Sequence, residues 1–153
     1  MTARETKALQ YFESGDNCAQ AVLKAYCDVV GLTQEQAALL AVGFGGGIGR
    51  LRQNCGAFSA AVMLCGALHG ADGADAANRT EVYARVQDVH RHFVERLGTI
   101  NCGELLGRIA EAPTPEERTP AYYASRPCSR IILQACHVIE EQLAGREESV
   151  CAR

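Results

Sequence analysis

The sequence lacks the features that would place it in several common classes. It has no tryptophan, and aromatic residues make up only 6% of its 153 residues. No apolar run reaches the roughly 18 residues needed to cross a bilayer. The first residues form no apolar stretch of the kind found in a signal peptide. These absences predict a cytoplasmic protein without membrane insertion.

The chain also lacks a large excess of charge of either sign. The formal net charge is -3, and acidic and basic residues are interleaved along the chain. No basic stripe could therefore attract a phosphate backbone, which excludes nucleic acid as an expected partner. The glycine-rich stretch at residues 43–49 matches neither the Walker A spacing nor GxGxxG, so nucleotide binding has no support. Two roles stay open for it: a tight chain reversal, or close approach of the backbone to a bound group.

What is present is a helical periodicity. Hydrophobic residues make up 48% of the chain, and most recur at intervals of three and four. The pattern predicts an all-α fold of about six to seven helices packed around a central apolar helix, which starts near Cys55 and ends at His69. Residues 1–145 are predicted to form a single domain, and residues 146–153 a frayed tail. The other predicted helices are Ala3–Ser14, one from Cys18 to before Gly31, Thr33–Val42 with a capping box, Thr80–Leu97, Cys102–Ile109 and Cys128–Leu143.

The chain has eight cysteines, which a reducing cytosol does not keep as structural disulfides. Four of them share one local position, in the first turn of a predicted helix directly after a turn or cap residue. Unpaired N–H groups and the positive end of the helix dipole stabilise an anion there, so a thiol ionises more easily. We expect these helix ends to converge on one site formed by Cys18, Cys55, Cys102 and Cys128.

The remaining cysteines carry a simpler prediction. Cys27, Cys65 and Cys136 lie further along their helices among apolar residues, where a small buried side chain is the expectation. Cys151, in the tail, is expected to be exposed to solvent. No Cys-x-x-Cys pair occurs, which excludes zinc-ribbon and thioredoxin signatures.

The same four positions carry a resemblance to a family of redox-active proteins named for a C_GCAxxG_C_C cysteine pattern. The resemblance extends from about Tyr11 to Leu143, with one departure, since Ala60 replaces the last glycine of the Cys-Gly-Ala-x-x-Gly element. An added methyl group there should shift a helix contact only slightly. The matching residues are Asn17-Cys18-Ala19-Gln20-Ala21-Val22, the glycine stretch ending at Arg50, Cys55-Gly56-Ala57, Ile100-Asn101-Cys102 with Glu104-Leu105-Leu106-Gly107, and Cys128.

The resemblance implies a small helical redox protein, similar to the iron–sulfur domain of split-Soret cytochromes. The first hypothesis is a cluster, most simply [2Fe–2S], held by Cys18, Cys55, Cys102 and Cys128 for electron transfer or sensing. Zinc would fit four thiolates equally well but would make the site structural.

Two other hypotheses stay open. One is a metal-free thiol–disulfide oxidoreductase that uses two of the four cysteines. The other is a metal-handling or binding module associated with a transporter, which rests on the family alone. The redox partner is not identified by the sequence, and a homodimer is left open because no sequence feature indicates one.

Overall fold

The computed structural model describes residues 1–71 and 75–151, with side chains up to residue 145. Within these ranges the chain forms eight α-helices and no strand, which confirms the all-α prediction. Two short 3-10 helices follow α2 and α3, at Cys27–Val30 and Val42–Phe44. The α-helices are α1 (Ala3–Glu13), α2 (Cys18–Ala25), α3 (Gln34–Ala41), α4 (Gly56–His69), α5 (Ala76–Leu97), α6 (Cys102–Leu106), α7 (Pro120–Ala124) and α8 (Cys128–Cys151).

Polar caps determine where most of these helices begin. Thr33 accepts a hydrogen bond from the Gln36 N–H while the Gln36 side chain bonds back to Thr33, which confirms the predicted capping box. Asn17 and Gln20 form the same arrangement at the start of α2. Each box satisfies backbone N–H groups that the first turn of a helix leaves without partners. The start of α2, which carries Cys18, is therefore held in place locally.

The helix α4 is the centre of the fold, as the sequence predicted. It packs against α2, α5 and α8. Ala57, Ala61 and Leu64 are fully buried, because α4 is apolar on nearly every side. Ala60, the residue that departs from the family pattern, is also fully buried in this core.

Several elements differ from the sequence predictions. The helix predicted from Cys18 to before Gly31 ends at Ala25 and is followed by a 3-10 helix, and α5 begins at Ala76 rather than Thr80. The proline-containing segment includes α7, a five-residue helix begun by Thr119 and Pro120, which the sequence analysis missed. The helix at Cys102 ends at Leu106 rather than near Ile109. The last helix continues to Cys151, although a tail was predicted after Gly145; residues 152–153 of that tail and the Cys151 side chain lie outside the described part. No helix in the described ranges is long and apolar enough to cross a membrane.

Candidate functional site

The structure brings the four selected cysteines to one cavity. The cavity has a volume of about 480 Å³, and all four residues line it. Each comes from the start of a different helix: α2, α4, α6 and α8. Cys55 is the residue just before α4, and the other three are the first residues of their helices.

A short pairing between two chain segments aligns Cys55 with Cys102. Asn54 and Asn101, the residues before these cysteines, form an isolated antiparallel bridge. The Cys55 N–H donates to the Ile100 carbonyl at 2.8 Å, and the Cys102 N–H donates to the Gln53 carbonyl at 2.6 Å. Two helix starts distant in sequence are thus held side by side by their backbones.

The glycine-rich stretch serves the first of the two roles that the sequence left open, and its backbone also lies close to a site cysteine. It reverses the chain, with the Gly49 N–H donating to the Gly43 carbonyl at 3.0 Å. It also lies against the site, because a Cβ on Gly47 would stand 2.5 Å from the Cβ of Cys102, and Gly47 has a φ of 68°. Only glycine fits a position that combines a left-handed backbone with so close a contact.

Three residues of the same loop are not glycine yet have positive φ: Ile48 at 63°, Arg50 at 69° and Arg52 at 58°. Such conformations cost free energy for residues with a Cβ. They persist because the surrounding hydrogen bonds fix the loop, among them the Arg52 N–H to the Gly46 carbonyl at 3.2 Å. Strained backbone of this kind clusters at functional sites.

Cys18 has the most reactive environment of the four cysteines. The pKa of Cys18 is lowered to about 7, mainly by a hydrogen bond from Cys55 and against the tendency of burial to raise it. Backbone N–H groups of Ala57, Gly46 and Ala19 also contribute to this lowering. These groups belong to the starts of α4 and α2 and to the glycine loop. Among the seven cysteines whose side chains are described, Cys18 alone is half-buried, and the others are buried.

The other three site cysteines are held as neutral thiols. The pKa of Cys55 lies well above its usual value, first because it hydrogen-bonds to Cys18 and also because it is buried. Burial raises the pKa of Cys128 to about 12. Burial likewise raises the pKa of Cys102, while a contact from Arg52 Nη1 to Cys102 Sγ at 3.7 Å opposes that effect. Nearby Cys18 raises the pKa of Cys102 and Cys128 as well, so these thiols interact electrostatically.

The four thiols are suitable donors for a soft metal or a cluster, but their side chains are not arranged as the ligands of a metal centre. Across residues 1–71 and 75–151, no group of three Cys, His, Asp or Glu side chains is placed to hold a metal ion. A metal centre would therefore require these side chains to take up other positions.

Sequence reasoning missed a set of arginines around the cysteines. Arg52 is buried, pairs with Glu111 and contacts Cys102. Arg126 precedes Pro127 and Cys128, and its Nη2 lies 2.6 Å from Glu116 Oε1. The residues that add positive charge to the lining of the cavity are Arg50, Arg52, Arg118 and Arg126. Arg50 and Arg52 follow the glycine stretch, and Arg126 lies two residues before Cys128. These positions were the signal available in the sequence.

Three cysteines outside the site match the prediction that they are buried. Cys27, Cys65 and Cys136 are buried. Burial raises the pKa of Cys65 to about 11 and that of Cys136 to about 12. The Gln34 amide lies 3.2 Å from Cys27 Sγ. These thiols are core side chains.

Comparison with known proteins gives one match. The model of a family described as "Putative redox-active protein (C_GCAxxG_C_C)" matches residues 16–142, which include all four site cysteines. No curated protein and no solved structure matches the chain.

Proposed function

The chain belongs to the C_GCAxxG_C_C family of redox-active proteins, and we propose that it carries out thiol–disulfide exchange with Cys18 as the attacking thiol and Cys55 as the resolving thiol. The observation that carries this proposal is the position of the two cysteines in the lining of one cavity, where Cys18 Sγ lies against Gly56, the residue after Cys55, and the two thiols interact. Cys18 is the partly exposed member of the pair and Cys55 the buried one. This is the division expected of an attacking thiol and the thiol behind it.

The exchange proceeds in two steps. The Cys18 thiolate attacks one sulfur of a substrate disulfide, so that a Cys18–substrate disulfide forms and the substrate S–S bond breaks. The first half of the substrate leaves as a thiolate and takes up a proton. Cys55 then loses its proton and attacks Cys18 Sγ, which forms the Cys18–Cys55 disulfide and releases the second half. The protein gives up two electrons and the proton of Cys55, and with one further proton from solvent the two halves of the substrate become thiols.

The electrostatics of the pair favour this order. While Cys18 is a thiolate, its hydrogen bond with Cys55 is the main reason that the pKa of Cys55 is high. Once Cys18 is bound in a mixed disulfide its charge is gone, and the pKa of Cys55 falls. Cys55 therefore becomes the better nucleophile only when a resolving step is needed. A thiol reductant would then restore the dithiol, and we place this cycle in a reducing compartment such as the cytoplasm.

The metal hypothesis is the second candidate, and the convergence of four thiols on one cavity supports it. When bound, an iron–sulfur cluster would supply one-electron transfer, and Cys18, Cys55, Cys102 and Cys128 would hold it. Zinc would make the same residues a structural site. The dithiol proposal is preferred because it uses a contact that is already present.

The test uses the reduced protein and a neutral probe, hydroxyethyl disulfide, followed by mass spectrometry of the disulfide-linked peptides. We expect a Cys18–Cys55 disulfide in the wild type and a stable mixed disulfide on Cys18 in Cys55→Ser. Cys65→Ser, a substitution in the core, should behave as the wild type does. Oxidation of Cys102 and Cys128 instead, or thiols that do not react, would refute the proposal. Stoichiometric iron and sulfide after anaerobic purification, lost in Cys55→Ser, would establish the second candidate in its place.

A further inference from the structure

Two guanidinium groups beside the cysteines have buried nitrogen atoms without hydrogen-bond partners. Arg126 Nε and Arg118 Nη1 are both fully buried, and neither has a partner among the described residues. The Arg126 side chain is only 5% exposed, and both arginines line the cavity that holds the four thiols. A buried polar atom of a charged group that lacks a partner carries a large desolvation cost. Its presence at a cavity wall indicates that the missing partner is a ligand.

The two arginines are held by one aromatic ring. The guanidinium carbon of Arg126 lies 4.3 Å from the centroid of Tyr122, and that of Arg118 lies 4.6 Å from it. Arg118 also lies 5.5 Å from the centroid of Phe12. Stacking fixes the planes of the guanidinium groups without using their N–H donors. The donors therefore remain free to bind an anion.

The remaining charges around the cavity do not neutralise this pair. Arg50 and Arg52 add two more cations, both of which pair with Glu111, and Glu116 is the carboxylate among the lining residues. Glu116 is already engaged by Arg126, Arg108 and Arg50. Arg118 has no ion pair in the part of the chain that is described, so one guanidinium has no counterion.

Apart from Asn17 and Gln20, most of the remaining lining is apolar. Phe12, Val42, Leu105, Leu106 and Ile131 contribute to it. Its volume of about 480 Å³ lies within the range of small-molecule sites, which are mostly apolar with a few polar groups that fix orientation. This combination suits a small organic anion better than an inorganic ion.

We propose that the cavity binds a small organic carboxylate at Arg118 and Arg126, and that the substrate of the Cys18–Cys55 pair is a small disulfide bearing a carboxylate. The second part rests on the proposed function, and the first part does not. Carboxylates suit guanidinium groups, which present several N–H donors in one plane. The carboxylate would hold the substrate while its disulfide lies against Cys18 at the same cavity.

Binding is tested without any thiol reaction. Adipate has the shape of dithiodiglycolate with two methylene groups in place of the sulfurs, and hexanediol is its neutral counterpart. In the Cys18→Ser protein, calorimetry should detect binding of adipate, weakened by salt, and none of hexanediol. Arg118→Gln should weaken adipate binding by about tenfold or more, as expected for loss of a charged hydrogen bond. Arg91→Gln, a change on the exposed face of α5, should have no effect.

Reactivity is tested with three disulfides of similar size: dithiodiglycolate, hydroxyethyl disulfide and cystamine. Rates are compared with those of a free thiol to correct for intrinsic reactivity. The wild type should prefer the anionic disulfide, and Arg118→Gln should remove most of that preference. Absence of adipate binding, or binding that Arg118→Gln leaves unchanged, would overturn the anion site. Reduction of all three disulfides at corrected rates that are equal would overturn the substrate class while the proposed function stands. Adipate binding with no disulfide reduced would leave the anion site and refute the proposed function.

Discussion

Replacing Gly56 by alanine tests the tight packing behind Cys18. Gly56 is the first residue of α4. A Cβ on it would stand 2.8 Å from Cys18 Sγ, 2.7 Å from the Phe44 carbonyl oxygen and 3.1 Å from the Cβ of Ala19. The closest of these atoms belongs to backbone, so rotation of one side chain cannot relieve the overlap. The start of α4 would have to move away from α2 and from the glycine loop.

The cost can be bracketed from known overpacking effects. Forcing an extra methyl group into a packed region costs about 1–3 kcal/mol. Gly66 is a matched control on the same helix, because a Cβ there meets nothing within 4 Å. Gly66→Ala should gain up to about 1 kcal/mol from helix propensity. The two variants should therefore differ by about 1–4 kcal/mol in the free energy of unfolding.

Urea unfolding measures this difference, and iodoacetamide alkylation measures its effect on the site. Gly56→Ala should be destabilised, and its Cys18 should ionise at a higher pH than in the wild type, because the Ala57 N–H moves away from the sulfur. Gly66→Ala should keep the wild-type alkylation profile. If Gly56→Ala is as stable as Gly66→Ala, the packing described here is wrong. A loss of stability with an unchanged Cys18 profile would refute the role of α4 in holding the thiolate.

Three further outcomes are expected. The rate of Cys18 alkylation should rise with pH with a midpoint of about 7, since the thiolate is the nucleophile. Cys55→Ala should raise that midpoint, because it removes the main cause of the low pKa of Cys18. Asn17→Ala should lower the free energy of unfolding by about 1–2 kcal/mol, since the side chain caps α2 through the N–H groups of residues 19 and 20. Cys136→Ala should cost about 1 kcal/mol of stability and leave Cys18 alkylation unchanged, because Cys136 is a core thiol with a pKa of about 12.

Each of these has a control and a contradicting result. A midpoint near 9 in the wild type, the ordinary value for cysteine, would contradict the proposed environment of Cys18. Asn17→Asp keeps an acceptor for the cap and should lose less stability than Asn17→Ala; equal losses would mean that the cap contributes little. Rapid alkylation of Cys136 in the native protein would show that it is not a core thiol.

Much of the fold followed from local signals in the sequence. The capping box of Thr33 and Gln36 and the helix starts at Cys18 and Cys102 depend on residues within one turn, so they could be predicted. The helix α7 was missed because its five residues lie among prolines and show no periodicity. The last turns of α8 were missed because residues 146–151 carry no apolar stripe, although arginine and glutamate favour helices.

The site was harder to predict than the fold. Local position indicated which four cysteines share an environment, but not which two touch. Contact between Cys18 and Cys55 depends on how α2 and α4 pack, which no short sequence pattern encodes. The place of Arg118 and Arg126 at the cavity could not be predicted either. Each stacks on Tyr122 four residues away, but only tertiary folding brings this segment to the cavity.

The sulfur of Cys18 is surrounded by groups from three separate segments, which links the redox state of the pair to folding. In an unfolded chain Cys18 and Cys55 would be two ordinary thiols joined by a flexible loop. A disulfide between them would restrict that loop, which spans residues 18–55, and by the entropy of loop closure would stabilise the folded state by about 4 kcal/mol. By the same thermodynamic cycle, the Cys18–Cys55 disulfide would be harder to reduce in the folded protein than in the unfolded chain. Destabilising substitutions far from the cavity, even in α5, would then make the oxidised pair easier to reduce once they unfold the reduced protein.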